Sequence, residues 1–104
     1  MEIENQLEPE ACGGLNDIRR EIDYLDRVVI ALLGKRFRYV MAASMFKTSA
    51  ASVSAPERLQ AMLAQRRMWA EAEGLSPDAI EKLYRDLAGY FIDEEMKRWK
   101  SHQA

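Results

Sequence analysis

One cysteine and one histidine in 104 residues leave little room for chemistry that depends on either. Cys12 has no partner for an internal disulfide, which fits a reducing compartment. One His and one Cys cannot build a zinc site without several carboxylates. No apolar run approaches the length of a membrane span. The start, MEIENQLEPEACGG, is acidic and lacks the basic flank and apolar centre of a secretory signal, so the expected location is cytoplasmic. The formal net charge is −2, with acids and bases interleaved. There is no basic stripe to neutralise phosphates, and nucleic acid is not expected as a partner. Internal repeats and low-complexity tracts are also missing.

What is present is ordinary for one globular domain: 48% hydrophobic and 31% charged residues, with no linker dividing them. Residues 1–14 are polar and end in Gly13-Gly14, and they read as a flexible tail before a single domain over 15–101. From Leu15 to about Phe46 there is no proline or turn cluster. Leu15, Ile18, Ile22, Leu25, Val29, Leu32, Val40 and Ala43 recur at steps of three and four, apart from one long step between 32 and 40. This predicts one long helix, with Gly34 inside it at a cost of roughly 1 kcal/mol. Residues 47–56, KTSAASVSAP, predict a mobile loop. Ser54 and Glu57 form a capping-box pattern with Pro56 in the first turn of a second helix, whose apolar face is Leu59, Met62, Leu63, Trp69 and Ala70. Gly74 stops that helix, and Ser76-Pro77-Asp78 starts a third with the stripe Ile80, Leu83, Tyr84, Leu87, Phe91 and Trp99.

A first helix of about 32 residues spans about 48 Å. Compact chains of this size have a radius of gyration near 13 Å, so two shorter helices cannot cover the whole stripe. A second copy alongside would complete the core as a symmetric dimer. The alternative is a break at Gly34 that folds the long helix into a hairpin within a monomer.

Charges fall on these apolar faces. At about 100° per residue, Arg36 lies about 20° from Leu25, and Lys47 follows Arg36 by another eleven residues. Glu95 stands eleven beyond Tyr84 and one turn past Phe91. Charged side chains are seldom buried unless paired. Arg58 occupies a helix first turn, where the macrodipole disfavours a cation unless an anion binds there. Arg19 lies about 100° around from Arg36 and points to a different site, such as one on a partner chain. Each position also has a plain structural reading. Arg36 can snorkel its stem along the core, Lys47 can mark a frayed helix end, Arg58 can pair with Glu57 or Glu71, and Glu95 can belong to a solvated acidic run with Asp93 and Glu94. Pattern alone supports a pocket for a small anion.

The segments CGGLNDIRREID, YVMAASMFK, SAPERLQAML and RRMWAEAEGL are long and particular. Through them the chain, from about Cys12 to Trp99, resembles the all-helical chorismate mutase family, and within it the isochorismate-pyruvate lyase branch of salicylate and siderophore biosynthesis. The resemblance implies an all-α, three-helix protomer intertwined with a second in a homodimer, two shared active sites and no cofactor. It implies a small dicarboxylate substrate, isochorismate or chorismate, bound by Arg19, Arg36, Lys47 and Arg58, with Arg19 crossing from the partner. It makes Lys47 and the following loop a lid. Ser44, Val40, Ala43, Met62 and Phe91 become candidate pocket neighbours, the last two more simply core.

Two departures bear on activity. The mutases carry acids around the motif that here reads APERL, whereas Ala55 and Leu59 flank Arg58, which fits isochorismate better than chorismate. The lyase branch commonly has Gln where this chain has Glu95. An amide donates to the substrate's ether oxygen, but a carboxylate only accepts, so Glu95 must be protonated to serve. The implied reaction is a pericyclic elimination to salicylate and pyruvate. Lys47, Glu95 and Arg36 are its candidate catalytic residues, and Arg19, Arg36, Lys47, Arg58 and Glu95 its substrate-binding residues. The competing readings are a chorismate mutase, or a non-catalytic helical dimer that binds an aromatic-pathway metabolite. As a residue at a helix end, Lys47 is expected to matter little for folding.

Overall fold

The computed structural model describes residue 5 and residues 7–103, so part of the expected tail, residues 1–4 and 6, lies outside the described residues. Among the described residues every regular element is helical. The long helices are α1 (Leu15–Ala43), α3 (Pro56–Ala72) and α4 (Pro77–Gln103), with a five-residue helix, α2 (Ala50–Ser54), between the first two. Among the described residues no helix is long and apolar enough to cross a membrane. The chain forms two compact units, residues 1–38 and 39–104.

In the first unit, α1 begins where Asp17 turns its carboxylate back onto the Gly13 N–H at 2.9 Å, placing an acid at the positive end of the helix. The residues before it include a 3-10 turn at Pro9–Ala11. Glu21 accepts hydrogen bonds from the Asn5 side-chain amide at 3.0 Å and from the Leu7 N–H at 3.3 Å. Gly34 lies within α1 without interrupting it, so the hairpin alternative is overturned. One glycine costs roughly 1 kcal/mol, too little to break a helix of 29 residues. The α-helix ends at Ala43, slightly earlier than expected, and tightens into a 3-10 turn at Ser44–Phe46.

In the second unit, α3 and α4 pack through Met62, Leu63 and Ala88, with Leu59, Tyr84 and Ile92 against them. Two expected core residues are not core: Trp69 is 52% exposed and Leu83 55%. Trp69 lies about 120° around α3 from Leu63, and Leu83 about 100° from Tyr84, so both leave the faces defined by Leu63–Ala70 and by Tyr84–Ala88–Phe91. Arg66 stacks over the Trp69 ring at 4.5 Å. Arg67 joins α3 to α4, with Asp78 at 2.8 Å and Glu81 at 3.3 Å. The turn between them is a Schellman ending: Gly74 has φ 76°, its N–H donates to the Glu71 carbonyl, and that of Leu75 donates to Ala70. Ser76 caps α4 through the Ala79 N–H at 3.2 Å.

The expected loop at 47–56 departs most from the sequence reading. Four hydroxyl-bearing positions in a row of small residues looked like loop, but Ser49 and Ser52 form a reciprocal capping box that starts α2, and Val53 anchors it by burial. The capping box expected at Ser54 and Glu57 does not form. Ala55 itself, at φ 39° and ψ 61°, ends α2 and begins α3, with Pro56 in the first turn as expected. A left-handed alanine costs roughly 1–2 kcal/mol, and it lets two helices abut without a linker.

Candidate active site

Two of the expected site residues, Lys47 and Glu95, meet between the end of the 3-10 turn and α4. Lys47 is the residue after that turn, in extended conformation at φ −88° and ψ 136°. From there its ammonium reaches Glu95 Oε2 at 3.3 Å and donates to the Ser52 carbonyl at 2.9 Å. Its own carbonyl accepts from the Trp99 indole N–H at 2.9 Å. Lys47 is therefore not a frayed helix end.

Glu95 is 3% exposed, on the same α4 face as buried Ala88 and Phe91. The solvated-run reading fails for this residue, although Asp93 beside it is exposed. Oε2 accepts no hydrogen bond, so its contact with the ammonium is coulombic and its lone pairs are unused. A buried carboxylate with one cation beside it and spare acceptor capacity is costly unless a hydrogen-bond donor completes it. An ammonium carries three donors, of which Ser52 takes one.

The other expected site residues are placed as follows. Arg58 is exposed in the first turn of α3, where the N-cap residue Ala55 offers no side chain to the helix N–H groups. This is the arrangement in which an anion is favoured. Arg19 is exposed and Arg36 half-buried, both on the part of α1 that belongs to the first unit. Ser44 is buried but spends its hydroxyl on the Met41 carbonyl at 2.6 Å. Val40 and Ala43 are half-buried; Met62 and Phe91 are buried, with Met62 in the α3–α4 core.

The first unit has an apolar groove lined by Leu7, Pro9, Cys12, Ile18, Ile22 and Leu25, together with Glu21, and it holds none of the expected cations. Burial and the carboxylates of Asp17 and Glu21 push the Cys12 thiol above its ordinary pKa, so it is poorly suited to act as a thiolate nucleophile.

Sequence periodicity placed Trp99 in an apolar stripe and missed its hydrogen bond to Lys47. The signal was the four-residue step from Glu95 to Trp99, which stacks the two side chains on one α4 face. The Ser52 carbonyl had no signal, because a main-chain acceptor depends on the backbone path of α2 and not on residue type.

The chorismate mutase type II family profile matches residues 18–96, which contain Arg19, Arg36, Lys47, Arg58 and Glu95. The chain is 46% identical to the isochorismate pyruvate lyase of Pseudomonas aeruginosa over 92 residues, covering 88% of this chain and 91% of that one. It is 44% identical to the T-protein of Haemophilus influenzae and 39% identical to that of Enterobacter agglomerans, each over 72 residues, or 68% of this chain and 19% of theirs. A helical chain whose lysine and buried glutamate meet within the span of that profile, and whose similarity to the lyase runs nearly end to end, is a member of the chorismate mutase type II family.

Proposed function

We propose that the protein is an isochorismate-pyruvate lyase, which converts isochorismate to salicylate and pyruvate without a cofactor. The observation that carries this reading is the Lys47 ammonium beside buried Glu95, under a short helix that ties down the same ammonium. Near full-length similarity to a lyase supports the choice of reaction, as do Ala55 and Leu59 in place of acids around Arg58.

The reaction is a redistribution within the substrate. A ring hydrogen moves to the enolpyruvyl methylene, which becomes the pyruvate methyl. The ether bond to the ring breaks, its oxygen becomes the pyruvate carbonyl, and the ring becomes aromatic. No nucleophile or external base is consumed. Catalysis then rests on holding the enolpyruvyl arm over the ring and on donors aimed at the ether oxygen as charge builds there. Lys47 faces that oxygen, Arg36 holds the enolpyruvyl carboxylate, and Arg19 and Arg58 hold carboxylates, with Arg19 supplied by a partner chain.

A homodimer follows from the same reading. Of the 29 residues of α1, none is buried within one chain, and Leu15, Ile22, Leu25, Val29 and Leu32 remain open along its stripe. A second copy covers that stripe and brings its Arg19 to the site. The exposed Phe46 and Met45 at the end of the 3-10 turn are further apolar surface for it.

Incubation with isochorismate, followed by salicylate fluorescence, tests the activity directly. Salicylate is expected at a kcat/KM well above that for chorismate conversion to prephenate. Preference for chorismate would make the protein a mutase, and tight binding without product would make it a non-catalytic dimer.

Glu95→Gln puts an amide donor at this position, where a carboxylate only accepts. The variant is expected to keep salicylate formation, while Glu95→Ala, which offers no polar group, is expected to lower it at least about tenfold. Equal loss in the Gln and Ala variants would reject a hydrogen-bonding role for Glu95 toward the substrate.

A further inference from the structure

The geometry points to Trp99 as the positioning residue of Lys47, acting through the main chain and not on the substrate. The inference rests on Lys47 being the catalytic cation.

Lys47 lies just beyond the end of the 3-10 turn and before α2, where neither helix supplies a partner for its carbonyl. The Trp99 indole supplies one at 2.9 Å across 52 residues of sequence. Glu95, one turn earlier on α4, takes the other end of the same residue at 3.3 Å. Successive rungs of one rigid helix thus hold the backbone and the ammonium of Lys47. Side chains four apart on a helix are about 6 Å from each other, a spacing that a lysine backbone and its folded side chain can bridge. Packing alone does not account for this, because a half-buried ring at this position can pack equally well as Phe. The specific element is the N–H, which Trp donates and Phe lacks.

Without the indole bond, the Lys47 backbone is restrained only by its turn and by α2, a helix of five residues. The ammonium would still find Glu95, but from a range of positions. A misplacement of about 1 Å in a catalytic group costs on the order of 100-fold in rate, so partial loosening is expected to cost about tenfold. Binding of the substrate carboxylates by the arginines does not depend on this bond.

The test is Trp99→Phe in the full chain. Turnover is expected to fall about tenfold with KM within about twofold, and the same substitution in a Lys47→Ala background is expected to cause no further loss. A readout independent of activity is limited trypsin cleavage, since the Lys47–Thr48 bond is cut only when this segment opens. Cleavage there is expected to accelerate several-fold relative to cleavage after Arg67 within α3. Parallel acceleration at both bonds would mean a packing role and would overturn the inference. So would unchanged turnover and cleavage, or an equal loss of turnover in the Lys47→Ala background. If Lys47→Ala itself keeps wild-type turnover, the catalytic reading of Lys47 fails, while the cleavage ratio still reports whether Trp99 grips it.

Discussion

Lys47→Ala is expected to lower turnover by about 100- to 1000-fold, the range seen when one donor to a developing oxyanion is removed. The loss belongs in kcat, because the arginines still bind the carboxylates while the ether oxygen loses its cation. The sequence reading gave this residue little part in folding, and the structure changes that. Its ammonium is the ion-pair partner of Glu95, whose side chain is only 4% exposed. Removing it leaves a buried carboxylate without a counter-charge, and truncating one member of a buried pair costs up to about 3–5 kcal/mol. Since the Lys47 side chain is itself 26% exposed, water enters readily and a cost of about 1–2 kcal/mol is expected. Combining Lys47→Ala with Glu95→Gln removes the stranded charge. The double variant is expected to regain most of the stability and none of the turnover. Thermal unfolding and salicylate formation on the same four proteins check both halves, and wild-type turnover in the single variant would reject Lys47 as the catalytic cation.

Arg19→Ala and Lys47→Ala proteins, each nearly inactive alone, are expected to regain about one quarter of wild-type activity when co-expressed in equal amounts. In a symmetric dimer with sites built from two chains, half of the random pairs are mixed. Each mixed pair has one site carrying both substitutions and one carrying neither, so about a quarter of all sites are intact. The rise from less than about 1% of wild-type activity is large and needs no new contact. Activity that stays at the sum of the two single variants would show that Arg19 serves the site of its own chain. Measuring the mixed species after tag-based purification, where half of the sites are expected to be intact, separates failed mixing from failed complementation.

Much of the fold was legible in the sequence because its signals are local. The apolar steps from Leu15 onward, Gly74 as a left-handed stop and Ser76-Pro77 as a helix start each depend on a few neighbouring residues, and each element stands where those residues put it. The family resemblance was legible as well, since it rests on linear segments. Local rules failed where two signals competed. Ser49 and Ser52 make a helix out of a loop-like composition, and they do so by bonding each other's backbone. Ala55 takes a conformation that propensity assigns to glycine because α2 and α3 abut there. Trp69 and Leu83 are apolar and exposed because angular position on a helix, not hydrophobicity, decides burial.

The sequence by itself determined that the chain is helical, where its long helices start and stop, and which charges fall on faces meant to be apolar. Only the tertiary structure decided that one of those charges, Lys47, is held at both ends by Glu95 and Trp99 on α4 and that Glu95 is buried beside it. The physical reason is separation along the chain. A helix start or stop is fixed by residues within a turn of each other, whereas Lys47 and Trp99 lie 52 residues apart and meet only because the 3-10 turn packs on the same face of α4 that carries Phe91, Glu95 and Trp99. Periodicity could place each residue on its own helix. It carried no information about which residue each would face.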